Sequence, residues 1–583
     1  MLLSGAFALM WSMLAPPFAQ ASAAAAPQAA GTTLYVDGKT GNDNNPGTSS
    51  ATAFKTIAKA AATIPKGTAA AGWTVVVQGY KDYIYRERPI PPGWSGAGTA
   101  SAPVVFQAAG YVAARSSYVK PIVSGSELAP RRGRTWEATN TPGVWRTPWG
   151  TAPFDYGKNF GTLGNALFED GTKWLWAQRS LADLAVPASK GLGGYWYDAT
   201  GMYLYVSGIS ATGASGASPI GHTIDVILRN AFYFNGADGV RYVQVRGFQV
   251  EHSANGIAFS QGTDYGTAAD NIVNANLYMG IATAGVQTPS GPDPSIGDSI
   301  WRNSGSYNTV QLIKATAGTQ KGSFCYNDAS GNGYQGIKIE GPQAGSTYTG
   351  TTSYNTVCHN TLHDQTYNPT GSIYPSANGL TVANGALYTT VSYNDVYNNS
   401  VGIKIAQEAA GSRALDGTVL SHNRIWSNGR FGLYFDDGVN GSGAGRASSS
   451  YDLIWANGLG VMVDLGSTNK TLDHDTIYAN RGDGVRVGGT NSGAAITISS
   501  TIISDNGGYG LLLVAGNKAP TSYSDFYGNG KGATSGSPGL SFVNYQPPGY
   551  LSTTATDATF LQISTSSYQY TAGPSKQPIG ARY

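Results

Sequence analysis

A glycine followed by alternating apolar and polar residues recurs through the second half of the chain. In each copy the residues one and three places after the glycine are apolar, as in Gly402-Ile403-Lys404-Ile405. Strict alternation is typical of a short β-strand with one buried face. Clear copies begin at Gly336, Gly379, Gly402, Gly432, Gly460, Gly484 and Gly510, and weaker ones at Gly256, Gly280 and Gly539. Similar strands at a period mostly in the twenties predict a solenoid, in which each strand stacks on the next copy.

A second motif lies between these copies and fixes their register. His422 to Asn428 aligns with Tyr451 to Asn457 and with His474 to Asn480. Stacked amides at a turn bond to one another and to the backbone, so the last position predicts an asparagine ladder. Its members are Asn332, Asn399, Asn428, Asn457, Asn480, Asn506 and Asn529. An aromatic column is read as a stacked wall in preference to a sugar-binding strip, and it comprises Tyr397, Trp426, Trp455, Tyr478 and Tyr527.

The composition suits a large folded domain that has few charges. Of 583 residues, 79 are glycine, 41% are apolar and only 12% are charged, which is about half the usual charged share. A net charge of +2 argues against a nucleic-acid or membrane partner. Two cysteines and six histidines argue against a disulfide scaffold or a zinc module.

The first residues have the features of a targeting segment. Residues 2–14 are apolar and precede small-residue cleavage patterns around Ala21 and Ala23, as in secretory signal peptides. No later apolar run reaches the ~20 residues of a membrane-spanning helix. We therefore expect a secreted protein whose residues 1–31 are a signal peptide and spacer.

The repeat pattern resembles the right-handed parallel β-helix of the pectate-lyase-like superfamily. Leu34 to Gly38 and Ala53 to Ala60 are similar to the opening of secreted β-helix proteins that act on polysaccharides, and Gln577 to Ala581 is similar to their closing segment. The resemblance implies an all-β, right-handed parallel β-helix solenoid as one domain over residues 32–583. It carries no motif of a particular chemistry, so no residue role is transferred from it.

Three departures from the regular repeat complete the predicted architecture. A short helix, whose apolar face comprises Phe54, Ile57, Ala58, Ala61 and Ile64, is expected to cap the N-terminal end of the solenoid. Residues 127–230 lose the repeat and are rich in aromatic residues, which predicts a β-rich insertion. Regular coils are expected over 236–545, with a C-terminal cap over 546–583.

Charged residues cluster on the outward positions of successive predicted coils. Residues two and four places after each motif glycine point away from the core. From Gly336 onward these positions include Lys338, Glu340, Lys404, Tyr434, Asp436, Asp464 and Arg486, while Asp437 and Glu408 lie at strand ends. Long segments at 366–378, 406–418 and 438–450 interrupt the same coils and are expected to rim a groove.

This cluster supports two catalytic chemistries. Neighbouring coils stack at ~4.8 Å, which puts Asp436 and Asp464 about 5 Å apart with Asp437 beside them. Such carboxylates repel unless a cation or proton compensates, so calcium bound by these three is a candidate cofactor; no organic cofactor is expected. Elimination needs a cation and a lysine or arginine base, whereas hydrolysis needs two carboxylates flanking the bond. Candidate catalytic residues are Lys338, Lys404, Asp436, Asp464 and Arg486, and candidate substrate contacts are Glu340, Tyr434 and Glu408.

We favour, by a narrow margin, a secreted polysaccharide lyase that cleaves a uronate-containing glycan by elimination. A glycoside hydrolase using Asp436 with Asp464 is the first alternative, and a non-catalytic glycan-binding or adhesin β-helix is the second. A further interpretation gives the charges no role beyond keeping a solenoid wall soluble. The sequence predicts a polysaccharide partner but no oligomeric state.

Two cysteines test the register of the alignment. Cys325 and Cys358 fall in one column of adjacent predicted coils, so their Cα atoms should lie about 5 Å apart, inside the ~4.4–6.8 Å disulfide range. In-register parallel side chains do not easily reach a torsion near 90° about the sulfur–sulfur bond. A bridge and two adjacent thiols therefore both remain open.

Overall fold

The computed structural model describes most of the chain. The described residues are 31–68, 72–113, 117–151, 167–171, 173–178, 180–185, 193–209, 215–365, 377–409, 411–437, 445–464, 466–489 and 493–581. The predicted signal peptide, except for residue 31, and most of the interrupting segments 366–378 and 438–450 lie outside these ranges.

Each full coil of the solenoid contributes one strand to each of three parallel sheets. Sheet 1 comprises Thr32–Val36, Trp73–Val77, Val104–Ala108, Val243–Arg246, Thr267–Ala269, Ser299–Trp301, Ser323–Cys325, Thr356–Cys358, Thr390–Ser392, Thr418–Ser421, Ala447–Ser450, Lys470–Asp473, Ile496–Ser499, Thr521–Ser522 and Leu540–Ser541. Sheet 2 comprises Ile84–Arg86, Ile122–Ser124, Gln249–Glu251, Ile272–Asn274, Ser304–Ser306, Asp328–Ser330, Thr361–His363, Asp395–Tyr397, Arg424–Trp426, Leu453–Trp455, Thr476–Tyr478, Ile502–Ser504 and Asp525–Tyr527. Sheet 3 comprises Phe232–Asn235, Ile257–Ser260, Met279–Ala284, Gln311–Thr316, Gln335–Glu340, Asn378–Ala383, Val401–Ala406, Phe431–Asp436, Leu459–Asp464, Val485–Val487, Tyr509–Leu513 and Gly532–Ser535. This arrangement confirms the predicted β-helix.

The glycine motif forms sheet 3 in the predicted register. Ile403 pairs with Leu380 on one side and Leu433 on the other, and Asp436 pairs with Asp464. The apolar positions are fully buried in one continuous core that runs through the coils. Polar positions on the same strands therefore share the outward face, because side chains alternate along a strand.

The glycine spacing misplaces one copy of the motif and misses another. Leu540–Ser541, after Gly539, pairs with Thr521–Ser522 in sheet 1, so Gly539 does not begin a copy in sheet 3. Conversely, Gln311–Thr316 is a full strand of sheet 3. Leu312 stands there in place of the motif glycine and packs in the core beside Gly280, which hid this coil from the glycine spacing.

Stacked side chains join the coils at both turns that flank sheet 2. In the predicted ladder, Asn428 Nδ2 donates to Asn457 Oδ1 at 2.9 Å, and the same bond repeats between neighbouring coils. A second ladder precedes sheet 2 and comprises Asn271, Asn303, Asn327, Asn360, Asn394, Asn423, Asp452 and Asp475. Trp426 stacks on Trp455 with ring centroids 4.9 Å apart, which agrees with the interpretation of this column as a wall.

A helix covers the N-terminal end of the solenoid, and the C-terminal residues lie along one side of it. The predicted helix is Ile57–Thr63; Thr56 caps it by accepting from Lys59 N–H, and Glu87 accepts from the N–H groups of residues 57 and 58. At the other end, residues 546–581 return along sheet 2, where Phe560 meets the edge of Trp455 at 5.1 Å between ring centroids.

The insertion is a nine-stranded, mostly antiparallel sheet with its own apolar core. Its strands are Ser126–Ala129, Glu137–Ala138, Trp145–Pro148, Leu167–Glu169, Lys173–Ala177, Gly194–Asp198, Tyr203–Ile209, Ser215–Ala217 and Ile224–Ile227. A second helix is Leu181–Ala185, and short 3₁₀ turns are Ser50–Thr52, Gly236–Asp238, Tyr568–Tyr570 and Pro574–Lys576. The smaller strands are Gly67–Thr68, Gly96–Ala97, Val286–Thr288, Gly291–Asp293, Ser295–Ile296, Thr319–Gln320, Thr352–Ser353 and Ala386–Leu387. None of the helices within the described ranges has the length and apolar character needed to cross a bilayer.

Cys325 and Cys358 are bridged. They pair in register on adjacent strands of sheet 1, with Cα atoms 4.6 Å apart, and form a disulfide. The predicted adjacency is confirmed, and of the two open alternatives the structure has the bridge.

Candidate functional site

Six side chains of alternating charge form a continuous row on the outward face of sheet 3. Each ammonium group of the row contacts at least one carboxylate, and each carboxylate contacts at least one ammonium group. The members, in order, are Lys314, Glu340, Lys338, Glu408, Lys404 and Asp436. We call this set the charge row.

In the first half of the charge row, Glu340 and Lys338 are almost closed to solvent, while the Lys314 side chain is 17% exposed. Lys314 Nζ and Lys338 Nζ lie 3.0 and 2.9 Å from the two oxygens of Glu340. Gln343 and Asn384 each donate a side-chain N–H to Glu340 Oε1, at 2.6 and 2.9 Å. With 1% of its side chain exposed and both oxygens engaged, Glu340 anchors the row and is not placed to contact a substrate as the sequence suggested.

The second half of the charge row faces solvent. Glu408 Oε2 lies 2.8 Å from Lys338 Nζ, and its other oxygen lies 3.5 Å from Lys404 Nζ. Lys404 Nζ also lies 3.1 Å from Asp436 Oδ2, and Asp436 hydrogen-bonds with Tyr434. Exposed fractions are 24% for the Glu408 side chain, 15% for Lys404 and 13% for Asp436, so a ligand can reach these three groups.

The charge row raises the pKa of Lys338 and lowers the pKa values of Glu340 and Glu408, so all three groups stay charged. Burial lowers the pKa of Lys338, but the charges of Glu340 and Glu408 outweigh burial and leave that pKa raised. Burial raises the pKa of Glu408, but Lys338 and Lys404 outweigh it and leave that pKa lowered. The pKa of Glu340 is lowered for the same reason by Lys314 and Lys338. Lys338 is therefore held as a cation and Glu408 as an anion.

Asn384 connects the two halves through the backbone. Its side-chain oxygen accepts from the N–H groups of Glu408 and Ala409 at 2.8 and 3.1 Å, while its Nδ2 donates to Glu340. Asn384 is fully buried at a left-handed φ of 50°, a conformation that asparagine tolerates better than most residues. It fixes where the chain leaves the strand, and so where Glu408 stands.

Of the remaining predicted residues, Asp464 lies beside Asp436, and Arg486 lies outside the row. Asp464 is the in-register neighbour of Asp436, about 4.8 Å away along the stack. Arg486 pairs across the stack with Met462 and forms an ion pair with Asp483 at 3.2 Å.

Asp437 does not join the outward carboxylates. It is 2% exposed, and its Oδ2 lies 3.0 Å from Nζ of the buried Lys470. Burial raises the pKa of Asp437 and lowers that of Lys470, and each charge partly compensates the other. The expectation that Asp437 stands with Asp436 and Asp464 is wrong, because this side chain follows the strand end and turns toward sheet 1.

These positions do not form the calcium site suggested by the sequence. Calcium takes several oxygens at 2.3–2.6 Å from one point, but Asp437 faces Lys470 and Asp436 is neutralised by Lys404. Within the described ranges, three potential ligand side chains converge only at Glu169, Asp170 and His222 in the insertion. The residues present therefore do not fit calcium at the charge row.

Sequence reasoning missed Lys314, Asn384 and Lys470. Lys314 belongs to the coil hidden by Leu312, although its strand shows the same alternation as Lys338 on the next coil. The outward positions are two and four places after each motif glycine. Asn384 lies five places after Gly379, and Lys470 lies in sheet 1, so neither is at such a position.

Comparisons with known proteins agree with this architecture. A family model for the right-handed β-helix region matches residues 445–546. A solved structure of XylC with xylose is similar to the chain with a TM-score of 0.52 and 13% identity, over 88% of this chain and 86% of that one. A glycoside hydrolase (TM-score 0.34, 10% identity, 88% and 96% covered) and the pectate lyase Pel9A (TM-score 0.34, 16% identity, 58% and 83% covered) are also similar. No curated protein sequence matches the chain.

The fold is thus a right-handed parallel β-helix, as the sequence resemblance implied. The identities are low, so the likeness extends to the fold and not to particular site residues.

Proposed function

We propose that the protein is a glycan-degrading enzyme that hydrolyses glycosidic bonds at the exposed end of the charge row. The observation that carries the proposal is the shared contact of Lys404 with Glu408 and Asp436, at 3.5 and 3.1 Å. Since one ammonium group touches both carboxylates, the two contacting oxygens lie within roughly 7 Å of each other. Carboxylates about 5–9.5 Å apart flank the scissile bond in glycoside hydrolases.

The two carboxylates have different surroundings, which supports different roles. Glu408 is held ionised by Lys338 and Lys404, as suits a group that attacks the sugar carbon or takes a proton from the attacking water. Asp436, on the other side of Lys404 and beside Asp464, is assigned as the second carboxylate of the pair, through which a proton passes to the leaving oxygen as the bond from carbon to oxygen breaks. Water supplies the hydroxyl of one product and restores both groups.

Lys404 acts as a positioning residue between the two carboxylates. Its ammonium group fixes one oxygen of each, and it lies 5.6 Å from the ring centre of Tyr434. Lys338 and Asn384 hold the other side of Glu408. The geometry of Glu408 is therefore supported from three directions before a substrate arrives.

The charge row favours hydrolysis over the elimination preferred from the sequence. Elimination needs a neutral amine or guanidine base, but the pKa of Lys338 is raised, and Lys404 is paired with two carboxylates. The carboxylates also lack the convergence that calcium needs. The similarity to XylC with xylose supports a sugar ligand.

A single set of assays separates the candidate functions. The full chain is incubated with neutral and uronate-containing polysaccharides, and reducing ends and the ultraviolet absorbance of unsaturated uronates are followed together. Hydrolysis releases reducing ends without that absorbance, and elimination produces both. Binding without either product would contradict an enzyme and favour a glycan-binding module.

We further propose that the protein is secreted. The apolar residues 2–14 and the Cys325–Cys358 bridge both suit an oxidising, extracellular location. N-terminal sequencing of the protein from culture medium and from the source cells tests this: protein in the medium that starts just after Ala21 or Ala23 is expected, and protein that stays in the cells with residue 1 intact contradicts it.

A further inference from the structure

Three side chains that can bind a metal ion meet at one end of the antiparallel sheet of the insertion. Glu169 ends one strand, Asp170 follows it in the turn, and His222 lies just before the neighbouring strand. His222 Nδ1 lies 2.8 Å from Asp170 Oδ2 and 3.4 Å from Glu169 Oε1. One ligand atom from each of the three residues lies within 4.8 Å of the other two. The pairing of the strands brings together His222 and Asp170, which are 52 positions apart in the sequence.

The separations between the ligand atoms suit a small divalent ion. Zinc binds imidazole nitrogen and carboxylate oxygen at ~2.0–2.2 Å, so neighbouring ligand atoms in tetrahedral or octahedral coordination lie about 2.8–3.6 Å apart. The two separations at His222 Nδ1 fall in this range. Calcium and magnesium prefer oxygen ligands, whereas imidazole suits zinc and its neighbours in the transition series. Two carboxylates with one imidazole therefore favour a divalent transition-metal ion.

The protein holds two of these ligands in place. The Glu169 side chain is fully buried and shares one face of the sheet with the buried Leu167 and with Ile224, its partner on the next strand. Asp170 is fixed by Thr223, whose N–H donates to Asp170 Oδ1 at 3.1 Å and whose carbonyl oxygen accepts from Asp170 N–H at 2.8 Å. Ligands oriented by the surrounding structure bind a metal ion with little rearrangement.

A positive group already lies at this point, and solvent can reach it. Lys173 Nζ is 3.3 Å from Asp170 Oδ2, the same oxygen that His222 contacts. The Lys173 side chain is 40% exposed, so it can turn to solvent when an ion replaces its ammonium group. The side chains of Asp170 and His222 are each 36% exposed. An ion can therefore enter from solvent and keep water in a remaining coordination position.

The group of three adjoins a contact between the insertion and the solenoid. The carbonyl oxygen of Gly171, the residue after Asp170, lies 2.7 Å from Nε2 of His252. His252 directly follows the strand Gln249–Glu251 of sheet 2. An ion bound by Asp170 therefore stabilises the turn through which the insertion contacts sheet 2.

We infer that Glu169, Asp170 and His222 bind one divalent transition-metal ion, for which zinc is the best match. The inference goes beyond the proposed function and does not depend on it, because none of the three residues belongs to the charge row. The role of the ion is to stabilise the folded insertion, since an ion that binds only the folded state raises its stability.

The first test is titration of the full chain, without a histidine tag and after removal of metal by a chelator. Calorimetry follows the addition of Zn²⁺ and, separately, of Ca²⁺. We expect one zinc ion per chain with a Kd of about 10 μM or lower, and calcium binding that is at least about tenfold weaker. Excess zinc should also raise the Tm.

Two variants each remove one ligand with little change of structure. Asp170→Asn keeps an acceptor for the N–H of Thr223 and tolerates the left-handed φ of 50° at this position. His222→Gln replaces a side chain that is partly exposed. Each variant should bind zinc at least about tenfold more weakly than the unmodified protein, and the Tm rise should shrink with the affinity.

The matched control is His363→Gln. His363 also contacts two carboxylates, Asp364 through Nδ1 at 2.6 Å and Asp328 through Nε2 at 3.2 Å. The two nitrogens point to opposite sides of the ring, so these carboxylates cannot share an ion with either nitrogen, and His363→Gln should bind zinc like the unmodified protein. Absence of zinc binding, calcium binding as tight as that of zinc, or a loss of affinity in the control equal to that in the ligand variants overturns the inference.

Discussion

Glu408 is the residue on which the proposed chemistry depends most. It contacts the ammonium groups of Lys338 and Lys404 and keeps about a quarter of its side chain exposed. Glu408→Gln preserves the shape but removes the charge, so we expect kcat/KM on the cleaved glycan to fall at least about a hundredfold. The melting temperature should change by only a few degrees.

The control for Glu408 is a carboxylate far from sheet 3. Asp328 is exposed on sheet 2 and contacts His363 at 3.2 Å, so Asp328→Asn should leave kcat/KM within about twofold. Full activity in Glu408→Gln would remove Glu408 from the mechanism and return the charge row to a structural role.

Two buried carboxylates make stability depend on pH in the second ladder. Asp452 and Asp475 replace asparagines there, and Asp452 N–H donates to Asp475 Oδ1 at 2.8 Å. Burial raises the pKa of both, that of Asp452 to about 7. The folded state then binds more protons than the unfolded chain, so the free energy of unfolding falls as pH rises from about 4 toward 7.

Asn substitution should remove that pH dependence, because an amide has no proton to lose. We expect Asp452→Asn with Asp475→Asn to be more stable than the unmodified protein at pH 7 and to gain little at pH 4. Urea unfolding between pH 4 and pH 7 measures the free energy of unfolding of each variant. The exposed Asp557→Asn is the control. Parallel pH profiles for the double variant and the unmodified protein would contradict the prediction.

At the scale of the element, one lysine contacts the described residues on both sides of 438–444. Lys470 opens a strand of sheet 1, is fully buried in its side chain, and donates to Asp437 Oδ2, to Gly445 O at 2.5 Å and to Thr468 O at 3.0 Å. Asp437 and Gly445 are the described residues on either side of 438–444. Lys470 therefore fixes both ends of the segment that leaves the strand of Asp436.

Removing this lysine alone should be costly. Lys470→Met leaves Asp437 buried without its counter-charge, for which we expect a loss of about 3–5 kcal/mol in the free energy of unfolding. Lys470→Met combined with Asp437→Leu should recover a large part of that loss, because no buried charge remains unpaired. Urea unfolding of Lys470→Met, Asp437→Leu and the double variant gives the coupling; additive losses would contradict a buried pair.

The sequence predicted elements better than it predicted side-chain directions. Glycine spacing fixed the strands of sheet 3 from Gly336 to Gly510, since strand register leaves little freedom once alternate residues must be buried. It missed the coil of Lys314 because Leu312 fills the glycine position. It also misplaced Asp437, because the side chain after the last paired residue follows the turn and not the alternation of the strand.

At the scale of the whole molecule, the C-terminal segment covers apolar side chains on one side of the solenoid. Residues 546–581 pack along sheet 2, where Leu561 and Trp455 are buried together and Ala581 N–H bonds to Thr476. A chain that ends at residue 545 would expose this aromatic wall. We expect the truncated chain to have a lower melting temperature and to bind more of a hydrophobic dye than the full chain. Phe560→Ala, which removes one contact, is the comparison. A truncated chain that melts at the temperature of the full chain would contradict a protective role for residues 546–581.

The disulfide between Cys325 and Cys358 also has a mechanical consequence. The hydrogen bonds between neighbouring coils run along the axis of the solenoid. A force applied to both chain ends therefore loads these bonds one coil at a time, and the coils separate in order from the ends. We expect unfolding that proceeds inward from either end to halt at the disulfide, because a covalent bond does not open under the load that separates hydrogen-bonded strands. The two cysteines are 33 positions apart in the sequence, and the chain between them cannot extend under load, which shortens the fully extended chain by about 110 Å.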